Sequence, residues 1–320
     1  MKELFSRILH EQYTKLLINI SEQEGGWSAK AFKAETADGT FFLKVYDKKK
    51  LSTDLWTSTI DTYMPIVIWL DQNTKLKSRI VCPVLTKEGE YKYEDENFIY
   101  LLFPYIEGYT LGKKKMSDVQ VKEIAEILAE LHKCGDEIPV STDKIKEDFS
   151  VPFCEGLRKI IETLQQGPSN KAKDILKQFE EKLLYNIDKI EKLSKKLSQE
   201  PLSFVLCHTD VHGWNLMQSD RLVLIDWEGM KLAPPEADLF AFIGNLFWHN
   251  CSDEFLKIYE SIRKDFKLNS EVLEFYQIRR RIEDIEAFAQ SLLYDRTLTE
   301  RERDESLYHL QHECEMLKLQ

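Results

Sequence analysis

Apolar residues recur every three to four positions from residue 3 to residue 20. Leu4, Ile8, Leu9, Leu16 and Ile20 share one face, which predicts an amphipathic helix. Gly25-Gly26 breaks that spacing, and the period then shortens towards two. Residues 29–35 and 40–46 read as strands joined at Asp38-Gly39, a pair suited to a tight hairpin. Residues 54–71 return to helical spacing, with Pro65 expected to kink the helix or mark its boundary. Phe98 to Phe103 is a continuous apolar run, as a buried strand requires, and Pro104 and Gly108 mark the connection after it. Ser117 stands where an N-cap belongs, ahead of a helix to Cys134 with Ile124, Ile127, Leu128 and Leu131 at core spacing.

Beyond residue 143 the pattern is almost wholly helical. Ile175, Phe179, Leu183, Ile187, Ile190, Leu193 and Leu197 step by threes and fours, and residues 165–170 separate them from the helix before. The seam barely spans three heptads, so it predicts a long helix packed on its own domain in preference to a coiled-coil dimer. Residues 253–320 are helical again. Within them Glu283 and Asp284 follow Arg279, Arg280 and Arg281, which predicts a salt-bridged helix face, with a pocket lining as the alternative. Strands first and helices later, over 320 residues, suit an α+β protein of two lobes.

Charge narrows the partners. The formal net charge is −11, which is the wrong sign for a nucleic-acid footprint and compatible with a cationic small molecule. No apolar run approaches the ~20 residues a membrane helix needs. The first ten residues mix charge into every turn and carry no secretory signal. Six scattered cysteines without a C-x-x-C pair read as reduced thiols, and the expectation is a cytoplasmic protein, a monomer or weak dimer.

The stretch from Leu206 to Glu228 follows no packing period. It sets His208, Asp210 and Asn215 in order, then an apolar run, Val223 to Ile225, that ends at Asp226-Trp227-Glu228. A transferring phosphoryl group spreads negative charge over its oxygens, so its catalysis is mostly positioning and charge neutralisation. Asp210 is placed to accept the proton of an attacking hydroxyl. Asn215, five residues on, and Asp226, eleven further, are placed to hold Mg2+ against nucleotide phosphates. A loop Asp is commonly a turn former or a cap, and a His beside a strand is commonly a satisfied core residue. Neither explains the ordered set with a strand between its members. Lys44 is the lone charge in the strand Phe41 to Tyr46. It either faces solvent on the alternate face or binds phosphate, and the downstream motif favours phosphate.

His208-x-Asp210-x-x-x-x-Asn215 followed by Ile225-Asp226-Trp227-Glu228 resembles the signature of the aminoglycoside phosphotransferase and choline kinase-like superfamily. Val205 to His212 and Leu232 to Leu239 look nearest to its spectinomycin phosphotransferase branch. The resemblance implies a two-lobed protein-kinase-like fold. Its small antiparallel-sheet N-lobe would span 1–103, a hinge 104–108, and a large, mainly helical C-lobe 109–320. It implies that Gly25, Gly26 and Ser28 form a short degenerate phosphate loop, and that Pro104, Tyr105 and Ile106 take the adenine edge. Asp61 is implied as the carboxylate that holds Lys44, with Asp54 as the alternative. His208 would orient the catalytic loop, Asp238 would bond that loop's backbone, and Glu228 would join the metal through water or orient the acceptor. Trp214 departs from the small residue usual before the metal-binding Asn, and His132 is expected to be structural.

The implied activity is transfer of the terminal phosphoryl group of ATP or GTP, with Mg2+, to a hydroxyl of an aminoglycoside-like antibiotic or small polar metabolite. A non-catalytic nucleotide-binding protein of the same fold, and a metabolite kinase with no role in resistance, are the alternatives. A protein kinase is opposed by Asp-Trp-Glu in place of D-F-G.

Overall fold

The computed structural model describes residues 2–23, 29–50, 53, 57–135, 137–243 and 251–317. In chain order the strands are β1 (Leu17–Gln23), β2 (Lys30–Thr36), β3 (Gly39–Asp47), β4 (Tyr93–Glu94), β5 (Phe98–Pro104), β6 (Tyr109–Thr110), β7 (Val205–Cys207), β8 (Leu216–Gln218), β9 (Leu222–Leu224) and β10 (Lys231–Ala233). The helices are α1 (Lys2–Tyr13), α2 (Ile60–Asn73), α3 (Asp118–Leu131), α4 (Phe153–Glu162), α5 (Lys171–Gln178), α6 (Glu180–Leu197), α7 (Glu236–Leu239), α8 (Ser252–Ile262), α9 (Ser270–Tyr294) and α10 (Glu300–Met316). They fall into two compact units, one of Met1–Lys146, Phe204–Asp238 and Phe247–Asp265, the other of Glu147–Ser203, Leu239–Leu246 and Phe266–Gln320.

In the first unit α1 is shorter than its apolar spacing predicts. It buries Phe5, Ile8, Leu9 and Tyr13, then stops where Thr14 turns left-handed at φ 57°. Leu16 and Ile20 do not continue its face. Residues 17–23 form β1, antiparallel to β2, and Leu16 and Ile18 are exposed. The helical spacing there was accidental, because only Leu17 and Ile20 of this edge strand pack on the core, which leaves little alternation to read.

The hairpin is present with its turn one residue earlier than expected. Thr36 pairs with Gly39, so Ala37-Asp38 is the two-residue loop, and the Thr36 hydroxyl lies 2.8 Å from Asp38 Oδ1 and from Gly39 O. The sheet order is β1-β2-β3-β5-β4, antiparallel throughout. Alternation along β3 sends Leu43 and Val45 into a core with Phe5, Leu9, Phe32 and Leu102, and so turns Lys44 and Tyr46 to the opposite face. Pro65 lies inside α2, where its missing N–H leaves the Asp61 carbonyl without the usual helical donor. Ser117 caps α3 in a capping box with Gln120, and the helix ends at Leu131, short of Cys134. Helix α8 packs on α3.

The second unit is helical and centres on α9. Its buried Val272, Phe275, Ile278, Ile282, Ile285 and Leu292 recur at helical spacing, against α4, α6 and α10. The expected seam from Ile175 to Leu197 is broken at Phe179, which joins α5 to α6, and Leu183, Ile187 and Ile190 are buried within the same chain. Asp284 pairs with Arg280 at 3.0 Å and Glu283 with Arg279 at 3.9 Å, one turn earlier on the same helix.

Leu43 is fully buried between the sheet and α1. Leu43→Ala is expected to cost about 2–5 kcal/mol through lost burial and a residual cavity, read as a lower urea midpoint.

Candidate active site

Strand register brings the motif residues together. Leu216 of β8 pairs with Leu224 of β9, and the Ile225 N–H donates to Asn215 O at 3.0 Å, which extends the ladder one step. Asn215, just before β8, is thereby set beside Asp226, two residues past β9. Asp210 lies on the loop leaving β7, a strand anchored by pairing Lys231 with Cys207 and Ala233 with Val205.

Two residues of these loops, Thr209 (φ 66°) and Asp226 (φ 68°), are left-handed and neither is glycine. Such conformations cost on the order of 1–3 kcal/mol each and persist only where the surroundings over-determine them. Here they do. The fully buried Asp238 carboxylate of α7 accepts from His208 N at 2.9 Å and from Thr209 N at 2.5 Å. The Thr209 hydroxyl donates to Gly229 O at 2.6 Å. Gly229 permits this approach, since a Cβ there would stand 2.8 Å from Thr209 Oγ1 and 3.2 Å from His208 O.

His208 ties the two loops to each other. Its Nε2 donates to Ile225 O at 3.0 Å, and its Nδ1 accepts from Asp210 N at 3.3 Å, which fixes the tautomer. Burial pushes its pKa down despite Asp238 and Asp210 nearby, so the ring is a neutral brace and not a proton carrier. Behind it His132 donates from Nε2 to Asp238 at 2.9 Å and accepts from Tyr259 at 2.7 Å. His132 is structural in this arrangement, linking α3 and α8 to the loop.

Within the site the Asn215 amide nitrogen donates to Asp210 O at 2.9 Å and to Asp210 Oδ2 at 3.0 Å. This orients the Asp210 carboxylate and turns the amide oxygen away from it. The Asp210 side chain keeps 34% of its surface open, enough to meet a second molecule. His212 Nε2 stands 3.3 Å from Asp210 Oδ2. The neighbouring Trp214 is 60% exposed.

Lys44 crosses from β3 to this loop. Its ammonium lies 2.9 Å from Asp226 Oδ1 and also bonds Glu228, which in turn accepts from the Tyr46 hydroxyl. Burial alone would push the Lys44 pKa down, but Asp226 and Glu228 outweigh it and hold it well above the usual lysine range.

Asp61 is not the partner of Lys44. It sits exposed on the first turn of α2 and accepts from Lys92 at 2.7 Å and Tyr91 at 2.8 Å. Tyr63, two residues on, is buried where Asp61 is exposed. Two residues are about 200° around a helix, so Asp61 faces away. Asp54, Gly25, Gly26 and Ser28 lie outside the described residues. In the 104–108 connection Pro104 pairs with Phe41, Tyr105 N donates to Thr40 O at 3.1 Å, and Ile106 is half-buried. Gly108 allows the chain to pass Gln218, whose carbonyl oxygen would be 2.2 Å from a Cβ.

Two outcomes are expected. The buried His208 ring titrates below its ordinary 6.5, so the unfolded chain takes up the proton first as pH falls. Its contribution to stability is full above about 6.5 and is lost below it. Urea unfolding at pH 7.5 and 5.5 should therefore show a smaller drop in His208→Gln than in the wild type. Asp61→Asn, which breaks only an exposed ion pair, should leave nucleotide affinity within about twofold by calorimetry.

Residues 19–274 match the sequence model of the phosphotransferase enzyme family, APH. Protein StrN of Streptomyces griseus is 23% identical over 199 residues, which cover 58% of this chain and 61% of that protein. The chain thus spans about three-fifths of that curated relative. Spectinomycin phosphotransferase APH(9)-Ia, solved with ADP and spectinomycin, superposes with TM-score 0.79 at 21% identity, covering 97% of this chain and 93% of that one. Choline kinase LicA from Streptococcus pneumoniae gives 0.60 at 20% identity, over 97% and 98%. The aminoglycoside phosphotransferase APH(2'')-Ib gives 0.54 at 16%, over 98% of each. Identities this low establish the fold, which is kinase-like: an antiparallel-sheet N-terminal region and a mostly helical C-terminal part, as the motif resemblance implied. With the family's sequence model matched over most of its length, the chain belongs to the phosphotransferase enzyme family.

Proposed function

We propose that this chain transfers the terminal phosphoryl group of ATP or GTP to a hydroxyl of a small polar acceptor. The observation that carries the reading is the convergence of Asp210, Asn215, Asp226 and Lys44, linked by Asn215 to Asp210 and by Lys44 to Asp226. Asp210 accepts the acceptor's proton as its oxygen attacks, and Asn215 holds the carboxylate in line for it. Lys44, kept charged beside two carboxylates, turns to the nucleotide phosphates. The segment Pro104, Tyr105 and Ile106 takes the adenine edge.

The residues fit a magnesium ion. Asn215 and Asp226 offer carboxamide and carboxylate oxygens, the ligands a hard ion prefers, and the Ile225–Asn215 hydrogen bond sets them side by side. When bound, Mg2+ supplies neutralisation of the phosphate oxygens. No step in the proton path needs more than Asp210, since its exposed oxygen faces the acceptor while Asn215 turns it.

For the acceptor, related folds act on spectinomycin, aminoglycosides, macrolides and choline by their names, so the fold leaves the class open. The net charge of −11 favours a cationic acceptor of the aminoglycoside kind. No described helix is long and apolar enough to cross a membrane, and a cytoplasmic enzyme, monomer or weak dimer, belongs to this reading.

Nucleotide consumption against a panel of aminoglycosides, spectinomycin and hydroxylated metabolites, with ATP or GTP and Mg2+, tests it. Asp210→Ala should lower acceptor-dependent turnover about 10²–10⁴-fold and leave nucleotide binding nearly unchanged. Equal loss of binding and turnover contradicts the assigned base, and absence of nucleotide binding by the wild type sinks the reading.

A further inference from the structure

Lys44 must be held in place, and α2 supplies nothing to hold it. The helix Ile60–Asn73 has two acidic residues, Asp61, which bonds Lys92 and Tyr91, and Asp71 in its last turn. Lys44 and Tyr46, two residues apart on one face of β3, instead converge on a single oxygen, Oε1 of Glu228. The Glu228 side chain is 8% exposed and Tyr46 is fully buried, whereas Asp226, the other partner of Lys44, is 33% exposed. The short 3-10 turn Trp227–Gly229 that carries Glu228 packs under α2. A carboxylate enclosed to this degree is tolerated only when its lone pairs are engaged, and here an ammonium and a phenol engage one oxygen.

The two carboxylates on Lys44 therefore differ in kind. Asp226 is open and freed when it turns to a cation; Glu228 is enclosed and braced. We infer that Glu228 is the positioning residue of Lys44 in this chain, with Tyr46 fixing its carboxylate. The lysine is thus held from the loop that carries Asp226 and not by Asp61 or Asp71 of α2. This deepens the phosphotransferase reading and rests on it for the role of Lys44.

The test uses the full chain, with Glu228→Gln, Tyr46→Phe and, as the rival holder, Asp54→Asn. Acylation of Lys44 in the nucleotide-free protein is followed by mass spectrometric mapping, alongside MgADP binding, the KM and kcat for ATP, and the Mg2+ requirement. Circular dichroism checks folding. Glu228→Gln is expected to speed Lys44 labelling and raise the nucleotide KM, each about tenfold or more, with Tyr46→Phe between it and the wild type. The Mg2+ requirement at saturating nucleotide should stay within about twofold. If Glu228→Gln fails to fold, Tyr46→Phe decides alone by its labelling rate. A raised Mg2+ requirement with unchanged labelling makes Glu228 a metal ligand and overturns the inference. So does faster labelling in Asp54→Asn with none in Glu228→Gln. Wild-type protein that binds no nucleotide defeats the phosphotransferase reading, while the labelling rates still decide what holds Lys44.

Discussion

Asp238 is completely buried and accepts from three donors, the backbone N–H groups of His208 and Thr209 and the ring of His132. The geometry of the loop that carries Asp210 follows from it. Thr209 holds a left-handed conformation that a threonine would leave if released, and the turn it makes is what aims Asp210 outward. Removing one member of such a buried set costs about 3–5 kcal/mol, because the others are then unpaired in a dry interior. That penalty exceeds the strain at Thr209, so the loop has one shape. The hydrogen bonds of His208 to Ile225 and Asp210 carry the same constraint to the loop that holds Asp226.

A second constraint is the pairing of β8 with β9. Because a one-residue slip would turn every side chain to the other face, two fully buried leucines, Leu216 and Leu224, pin the register. The distance between Asn215 and Asp226 is then a by-product of core packing. That placement is set by a short hairpin of two three-residue strands.

Most of the chemical group was legible in the sequence because it is local. His208, Asp210 and Asn215 share one loop, Asp226 follows two residues after β9, and alternation alone put Lys44 opposite Leu43 and Val45. What escaped was non-local. Glu228 meets Lys44 and Tyr46 across more than 180 positions, a contact that only the finished fold creates. Asp61 rested on the family resemblance alone, and in the fold it pairs with Lys92 and Tyr91 instead. β1 was hidden because an exposed edge strand shows no buried period. Phe179 divided a continuous apolar seam since it serves as the last cap of one helix and the first of the next.

The packing of β3 against the 3-10 turn after Asp226 has one further effect. In protein kinases the active lysine is paired from a mobile helix, and swinging that helix is how such enzymes are switched off. Here Lys44 bonds to two carboxylates of one short loop, a loop pinned in turn by His208 and Gly229. Neither acidic residue of α2 takes part in that pairing, since Asp61 bonds Lys92 and Tyr91 and Asp71 lies in the last turn. Among the described residues the lysine is therefore tied to the same loop whose backbone His208 braces, so whatever shifts that loop shifts both ends of the ion pair together.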